Sequence, residues 1–234
     1  SVTGLSLGSS SNGGLSGNYN ALGTANSAVT ITAKPVTLTA PVISKEYDGN
    51  ANHTPSASNL STLGSQLGVV GDSVSAASMA FDSKSAAYGS KVVSLSAATV
   101  SDGNSGQNYS LSYASNSTSS ITPKALTITG ITAADKVYNG LTTATVSTTG
   151  VTNSVLQANG LVAGDTVTVS ATGNFRNATN TANDKNAGIA KTVALTSTYG
   201  GADVGNYAIT GQSTTTASIS ARPFSVTVPP SGAV

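Results

Sequence analysis

Internal repetition limits the folds open to this chain more than any single motif does. One pattern, an Asn-Tyr pair followed by alternating apolar and hydroxyl residues and then a basic residue, occurs in segments 17–39, 106–129 and 205–227. Upstream of the last two, a Lys-x-Tyr-Asp/Asn-Gly motif stands at 45–49 and 136–140. Matched motifs lie about 90 to 100 residues apart, which indicates a tandem array of similar domains.

Two further motifs follow in the same order and define the predicted domains. A Gly-Asp pair stands within 68–74 and again within 160–167, and a Lys-led strand pattern begins at Lys91 and Lys191. We therefore expect residues 1–32 to be the C-terminal part of a preceding repeat and residues 222–234 to be the first strand of a following one. The two complete units are 33–122, called repeat 1, and 123–221, called repeat 2.

Local patterns predict an all-β fold. Segments such as Val36–Thr39, Leu126–Thr129 and Val226–Val228 alternate with the period of two that buries one face of a strand. Turn-rich clusters about 8 to 12 residues apart favour antiparallel pairing in small β-sandwich (Ig-like) or β-grasp-like repeats. Helical pattern is confined to a turn or two at Leu60–Leu67 and Val155–Ala158.

The joints between units are short and contain proline. Pro35, Pro123 and Pro223 each lie between two strand patterns, and proline keeps its own backbone and that of the preceding residue extended. We expect the repeats to stack end to end as a rod.

Composition excludes several classes of protein. The 234 residues include no cysteine, one histidine and only 8% charged residues, with a net charge of +1. Thiol catalysis is excluded, and no basic field is present to attract nucleic acid. The sequence shows neither a long apolar span nor a signal-peptide pattern, so an exported parent protein would contain it as an internal piece.

The ordered motifs resemble the YDG-type repeats, and the related MBG repeats, of large secreted bacterial proteins. The resemblance covers essentially the whole chain and implies a filamentous-haemagglutinin-like adhesin exported by two-partner secretion. It further implies an extracellular stalk at the bacterial cell surface that serves attachment or biofilm formation. Implied partners are host-cell or matrix glycans or proteins, neighbouring bacterial cells and an outer-membrane transporter for the parent protein. The family supplies no catalytic residues.

The recurrent motif residues are predicted to be structural turns. Asp48 in repeat 1 is replaced by Asn139 in repeat 2, and the property they share is a side-chain bond to a backbone N–H two residues on, as in Asp-Gly and Asn-Gly hairpins. Asp72 and Asp165 are each expected to cap a turn. Thinly spread acids predict no calcium or other metal site. The turn residues are Tyr47, Asp48, Gly49, Tyr138, Asn139, Gly140, Gly71, Asp72, Gly164 and Asp165.

No catalytic site or cofactor is predicted. The one histidine, His53, lies in a polar run without a counterpart in repeat 2, and no pair of carboxylates stands out. We interpret Tyr19, Tyr109 and Tyr207 as packing residues rather than a sugar-binding face.

Two alternatives to a plain stalk stay open at this point. In the first, the repeats are themselves a lectin-like or protein-binding module, with a patch in the longer segment Thr152–Asn159 of repeat 2. The second is a Lys–Asn isopeptide cross-link. Its recurrent candidate lysines are Lys34, Lys124, Lys45, Lys136, Lys91 and Lys191.

Overall fold

The computed structural model describes residues 30–227. The predicted tail of a preceding repeat therefore lies outside the described residues up to position 29, and so does the predicted following strand from position 228. Strands make up nearly half of the described chain, and each repeat adds one short α-helix. The all-β fold class is confirmed.

Repeat 1 consists of one five-stranded sheet, a separate two-stranded pair and one helix. The sheet order is β2-β7-β5-β4-β3, and β1 pairs with β6. The elements are β1 (Lys34–Thr39), β2 (Ser44–Glu46), β3 (Asn52–His53), α1 (Ala57–Ser65), β4 (Ser73–Phe81), β5 (Ala87–Ser101), β6 (Tyr109–Ala114) and β7 (Asn116–Thr122).

Repeat 2 has the same plan with one additional strand pair. Its five-stranded sheet has the order β10-β16-β14-β13-β11, while β8 pairs with β15 and β9 with β12. The elements are β8 (Lys124–Thr127), β9 (Thr132–Ala133), β10 (Lys136–Val137), β11 (Thr143–Ala144), β12 (Val146–Ser147), α2 (Asn153–Ala158), β13 (Thr168–Phe175), β14 (Gly188–Gly200), β15 (Tyr207–Thr210) and β16 (Thr214–Ser220).

The two helices form where the sequence predicts short helical turns, and capping explains where they begin. Ser56 accepts a bond from the backbone N–H of Asn59, whose side chain bonds back to the Ser56 N–H and completes a capping box. Thr152 caps α2 through the N–H of Val155. Each helix buries one leucine, Leu63 or Leu156, in the apolar core.

The predicted purely antiparallel pairing is wrong, because both sheets are mixed. The first strand of each repeat pairs in parallel with the strand after the Asn-Tyr motif, with Lys34 opposite Tyr109 and Lys124 opposite Tyr207. We call the turns at 47–49 and 138–140 the YDG turns. In each repeat the strand before the YDG turn also lies parallel to the last strand. Alternation indicates which face of a strand is buried but carries no information on strand direction.

Two local expectations also fail. Thr152–Asn159 is not an insertion peculiar to repeat 2, because α1 fills the corresponding place in repeat 1. The additional segment of repeat 2 is instead the exposed loop 176–183, which Arg176 holds together through bonds to Asn180 and Asn183. Val226 and Thr227 are not in a strand, and Val228 lies outside the described residues.

The buried apolar residues form one large cluster and one small one. The large cluster includes Leu38 and Ile121 of repeat 1 together with Leu126 and Tyr207 of repeat 2. The small cluster, centred on Phe175 and three neighbours, lies within the sheet of repeat 2. The core of repeat 1 is therefore continuous with part of the core of repeat 2. Within residues 30–227 no helix has the length and apolar character needed to cross a membrane.

Candidate functional site

The two YDG turns share one internal hydrogen-bond pattern. Lys45 reaches from β2 to the side chain of Asp48 at 2.8 Å and to the carbonyls of Asn50 and Asn52 at 2.7 and 3.2 Å. In repeat 2, Lys136 contacts the residues three, five and seven positions ahead, namely Asn139, Leu141 and Thr143. Each lysine also lies over a phenylalanine ring, Phe81 or Phe175. The lysine thus ties together two outer strands of one curled sheet.

Asp48 and Asn139 make the side-chain bond expected of a turn residue. The Asp48 carboxylate accepts from the Asn50 N–H at 2.9 Å, and the Asn139 amide oxygen accepts from the Leu141 N–H at 3.1 Å. The turns are not hairpins, however, because the strands on either side lie at opposite edges of the sheet. Gly49 and Gly140 have φ of 81° and 79°, which favours glycine.

Asp165, from the second Gly-Asp pair, lies at the contact between the repeats. Its Oδ2 accepts hydrogen bonds from the hydroxyls of Tyr47 and Tyr207, both at 2.6 Å. Its Oδ1 is 3.0 Å from Nζ of Lys84. Tyr47 belongs to the YDG turn of repeat 1 and Tyr207 to the Asn-Tyr motif of repeat 2. All three sequence motifs therefore meet at one buried carboxylate, and we call this contact the Asp165 junction.

The electrostatics of the junction favour an ionised aspartate. Burial raises the pKa of Asp165, but hydrogen bonds from Tyr207, Tyr47 and Lys84 outweigh it and hold the pKa below its ordinary value. Burial and the bond to Asp165 raise the pKa of both tyrosines. The bond to Asp165 also raises the pKa of Lys84. At neutral pH the junction is a carboxylate held by two neutral hydroxyls and one ammonium group.

Close packing surrounds this carboxylate. The Tyr47 and Tyr207 rings meet edge to face with centroids 5.6 Å apart, and only 1% of Tyr47 is exposed. A Cβ atom added to Gly49 would lie 2.8 Å from Cγ1 of Val162, so the YDG turn of repeat 1 touches repeat 2 directly. The glycine is needed here for space as well as for its backbone angle.

Three polar contacts surround the shared aspartate. Lys84 also lies 3.5 Å from Asp203, and the backbone N–H of Ala86 donates to the Asn206 side chain at 3.0 Å. A third contact joins Glu46 to Lys124 at 2.9 Å. Each joins a residue of repeat 1 to one of repeat 2. With contacts at several places, the two repeats cannot rotate against each other about Asp165 alone.

Repeat 1 contains the same aspartate and tyrosine at its own N-terminal end. The Tyr109 hydroxyl donates to Asp72 at 2.5 Å, and this bond together with burial raises the pKa of Tyr109 to about 12. Asp72 is half-buried. Gly71 and Gly164 precede the two aspartates with φ of 98° and 91°. Both Gly-Asp pairs therefore form tight turns, and the aspartate extends from the turn toward a tyrosine.

The remaining candidates have structural contacts. His53 bonds to the Asn59 side chain at 3.1 Å, next to the capping box. Among residues 30–227 no group of three acidic or histidine side chains is placed to hold a metal ion.

The isopeptide candidates are occupied by other bonds. Lys91 and Lys191 pair with Asp82 and Asp184, and Lys34 donates to the Leu67 carbonyl. Lys136 contacts Asn139, but in the described part of the chain no carboxylate is bonded to either of them. An isopeptide cross-link stays without structural support.

Sequence reasoning missed three residues of the junction, Glu46, Lys84 and Asn206. Lys84 lies in an unpatterned polar stretch, and its partner Asp165 is 81 positions away. One signal was available. The Gly-Asp pair keeps its aspartate in both copies although a turn alone would accept asparagine, as the YDG turn does.

The YDG domain family matches residues 32–118 and 122–217. No curated protein and no solved structure matches the chain. The two matched segments together span most of the sequence, and each contains one YDG turn, one Gly-Asp turn and one Asn-Tyr motif. The chain therefore belongs to the YDG domain family and contains two copies of its domain.

Proposed function

We propose that this chain is a spacer of a bacterial surface adhesin, with successive YDG repeats stacked end to end to hold an adhesive region away from the cell. The observation that carries the proposal is the Asp165 junction. A carboxylate of one repeat is buried under a tyrosine and a lysine of the other, so the two repeats are coupled by more than a covalent link.

The coupling is what a semi-rigid rod requires. Repeat proteins gain stiffness and stability from interfaces between neighbours, and each interface adds to the whole. A flexible linker would leave the two domains free to reorient. Here Pro123 alone lies between β7 and β8, and the apolar core runs past it. A pair of repeats joined in this way would keep a fixed distance and orientation between its two ends.

Export and display at the cell surface belong to the same proposal. A cysteine-free chain with few charged side chains and many hydroxyls folds without disulfide formation, as suits a segment that folds after export. Its partners would then be host or bacterial surfaces contacted by other parts of the protein. The YDG repeats would be neither enzyme nor receptor-binding module.

The rod is tested by measuring distances between spin labels. Because the chain has no cysteine, Ser96→Cys and Thr196→Cys place labels at exposed matched positions on β5 and β14. We expect a narrow distance distribution that broadens when Asp165→Ala is added. An equally broad distribution in both chains would contradict the spacer.

The binding alternative is tested separately. The unmodified chain is applied to a glycan panel, to host cells and to bacterial cells. A spacer gives no saturable binding, whereas saturable binding that is lost on deleting the 176–183 loop would make repeat 2 an adhesive module.

A further inference from the structure

The C-terminal end of repeat 2 carries the same residues that repeat 1 contributes to the Asp165 junction. The matching bonds of Lys45 and Lys136 place Tyr138 where repeat 1 has Tyr47. Ser120 and Ser218 bond to the backbone N–H of Gly89 and Ala190. Ala87 and Gly188 lie opposite the two equivalent isoleucines. Counted back from Gly188 without a gap, Lys185 is the counterpart of Lys84 and Ala187 that of Ala86. The Asp184–Lys191 pair, which matches Asp82–Lys91, places Lys185 within one residue of the same position.

Within residues 30–227, these residues of repeat 2 lack the contacts that their counterparts make at the Asp165 junction. Tyr138 is half-buried, and within residues 30–227 its hydroxyl has no hydrogen-bond partner. Lys185 is exposed and forms no ion pair with any described residue. A Cβ atom added to Gly140 would meet nothing within 4 Å, in contrast to Gly49. A cleft of about 780 Å³ lies beside Tyr138, between Ala187 and Phe224.

The segment after repeat 2 repeats the pattern of a first strand. Residues 222–227 read Arg-Pro-Phe-Ser-Val-Thr, against Lys-Pro-Val-Thr-Leu-Thr at 34–39. Phe224 and Val226 are 89% and 71% exposed, whereas Leu126 and Ile128 at the same positions of repeat 2 are each 1% exposed. Two apolar side chains that are buried in a complete repeat are exposed here.

We propose that this end of repeat 2, formed by Tyr138, Lys185 and Ala187, is a docking surface for a further YDG repeat whose first strand is residues 222–227. The inference rests on the proposed spacer function and identifies the contact that would extend the spacer. The recognised group is the carboxylate of a Gly-Asp turn already bonded to its own Asn-Tyr tyrosine. Asp72 with Tyr109 shows that the same pair also forms at the N-terminal end of repeat 1.

Charge and shape support this occupant. Lys185 supplies the positive charge that the carboxylate needs, and the cleft beside Tyr138 has room for the second tyrosine ring. One contact of the Asp165 junction would be missing, because Val137 stands where repeat 1 has Glu46 and leaves Arg222 without a carboxylate. The contact joins the C-terminal end of one repeat to the N-terminal end of the next, which are different surfaces. Each added repeat therefore presents a new copy of the same docking surface at its own C-terminal end.

Nitration of tyrosine tests the contact. Residues 1–227 are extended with a copy of residues 130–227 that carries Tyr138→Phe, so that only the original Tyr138 can be nitrated; the extension keeps 222–227 in the register of a first strand. Tetranitromethane labelling is followed by mass spectrometry in the original and the extended chain. We expect Tyr138 to react at least tenfold more slowly in the extended chain, at a rate near that of Tyr47. Tyr88, 69% exposed, reacts equally in both and serves as the internal reference.

A matched variant tests whether the protection of Tyr138 from nitration depends on the carboxylate of the added repeat. Alanine in place of the copied Asp165 restores fast nitration of Tyr138 while the original junction keeps Tyr47 protected. A second extended chain, built with a copy of residues 40–122, covers the case in which the first addition does not fold. Fast nitration of Tyr138 in both extended chains overturns the docking surface. The spacer itself would still be judged by the label distances within the two-repeat chain, so the two failures are distinguishable.

Discussion

The two YDG turns have the same internal bonds and different surroundings. Lys45 and Lys136 hold their turns in the same way, yet Tyr47 is buried against the second repeat while Tyr138 borders an open cleft. The comparison separates two roles within one motif. In both turns the lysine, the Asp or Asn and the glycine close a turn inside the repeat, whereas in repeat 1 Tyr47 and Gly49 also contact repeat 2.

The largest effect is expected from removing the shared carboxylate. Asp165→Ala leaves two buried hydroxyls without their acceptor and Lys84 with only the more distant Asp203, and we expect the free energy of unfolding to fall by about 3 kcal/mol. Asp72→Ala removes one hydroxyl bond at a half-buried site, and its loss should be less than half as large. Urea unfolding followed by circular dichroism measures both. Equal losses would mean that the junction adds nothing to the turn.

The pH dependence of stability sharpens the same contrast. The folded-state pKa of Asp165 lies below its ordinary value of 3.8, so its contribution is fully present above that value and is lost as the pH falls through the folded one. The raised pKa of Tyr207 gives a contribution present below its ordinary value of 10.0 and lost as the pH rises through the folded value. We expect the stability difference between the unmodified chain and Asp165→Asn to be constant between these limits. Unfolding measured from pH 2 to 6 should show it shrinking only below about 4. A difference that stays constant to pH 2 would contradict an ionised junction.

A third test compares the two turn glycines. Alanine at Gly49 or Gly140 costs about 1 kcal/mol through its positive φ. Gly49→Ala should cost about 1 kcal/mol more, because its Cβ meets Val162 at 2.8 Å. Thermal and urea unfolding of both variants measures the difference. If Gly140→Ala is as costly as Gly49→Ala, the contact with repeat 2 has no energetic weight.

The smallest effect is expected from exchanging the turn residues. Asp48→Asn and Asn139→Asp each keep the bond to the backbone N–H two residues on and change only the charge near an exposed lysine contact. Because the Asp48 side chain is 52% exposed, its ion pair with Lys45 is weak, and both changes should stay within about 0.5 kcal/mol at pH 7. A loss above 1.5 kcal/mol in either variant would give the carboxylate a role beyond the turn.

The sequence predicts those features of the fold that depend on residues close to one another along the chain. Alternation places β1 and β8, and the Asp48 and Asn139 exchange indicates the turn bond, because both depend on residues a few positions apart. The parallel pairing of β1 with β6 joins positions 75 residues apart and leaves no local pattern.

The Asp165 junction could not be predicted from the sequence for a related reason. Tyr47 and Asp165 are 118 positions apart and belong to different repeats, so comparing copies shows only that both residue types recur. The role of Lys84 is even harder to predict, because no neighbouring residue in the sequence distinguishes it from a solvated surface lysine. Only the folded chain shows that these recurring residues bind across the boundary between repeats.

The parallel pairing of β2 with β7 has a mechanical consequence. Ser44, Lys45 and Glu46 lie opposite Ser120, Ile121 and Thr122, so the strand before the YDG turn runs alongside the last strand of the repeat. Tension applied between the two ends of the domain would pull these strands past each other and load their hydrogen bonds together, as shear. An antiparallel hairpin at the same place would open one bond at a time. β10 and β16 repeat the arrangement in the second domain. The strand order of this fold therefore suits a tether that must stay folded while it is pulled.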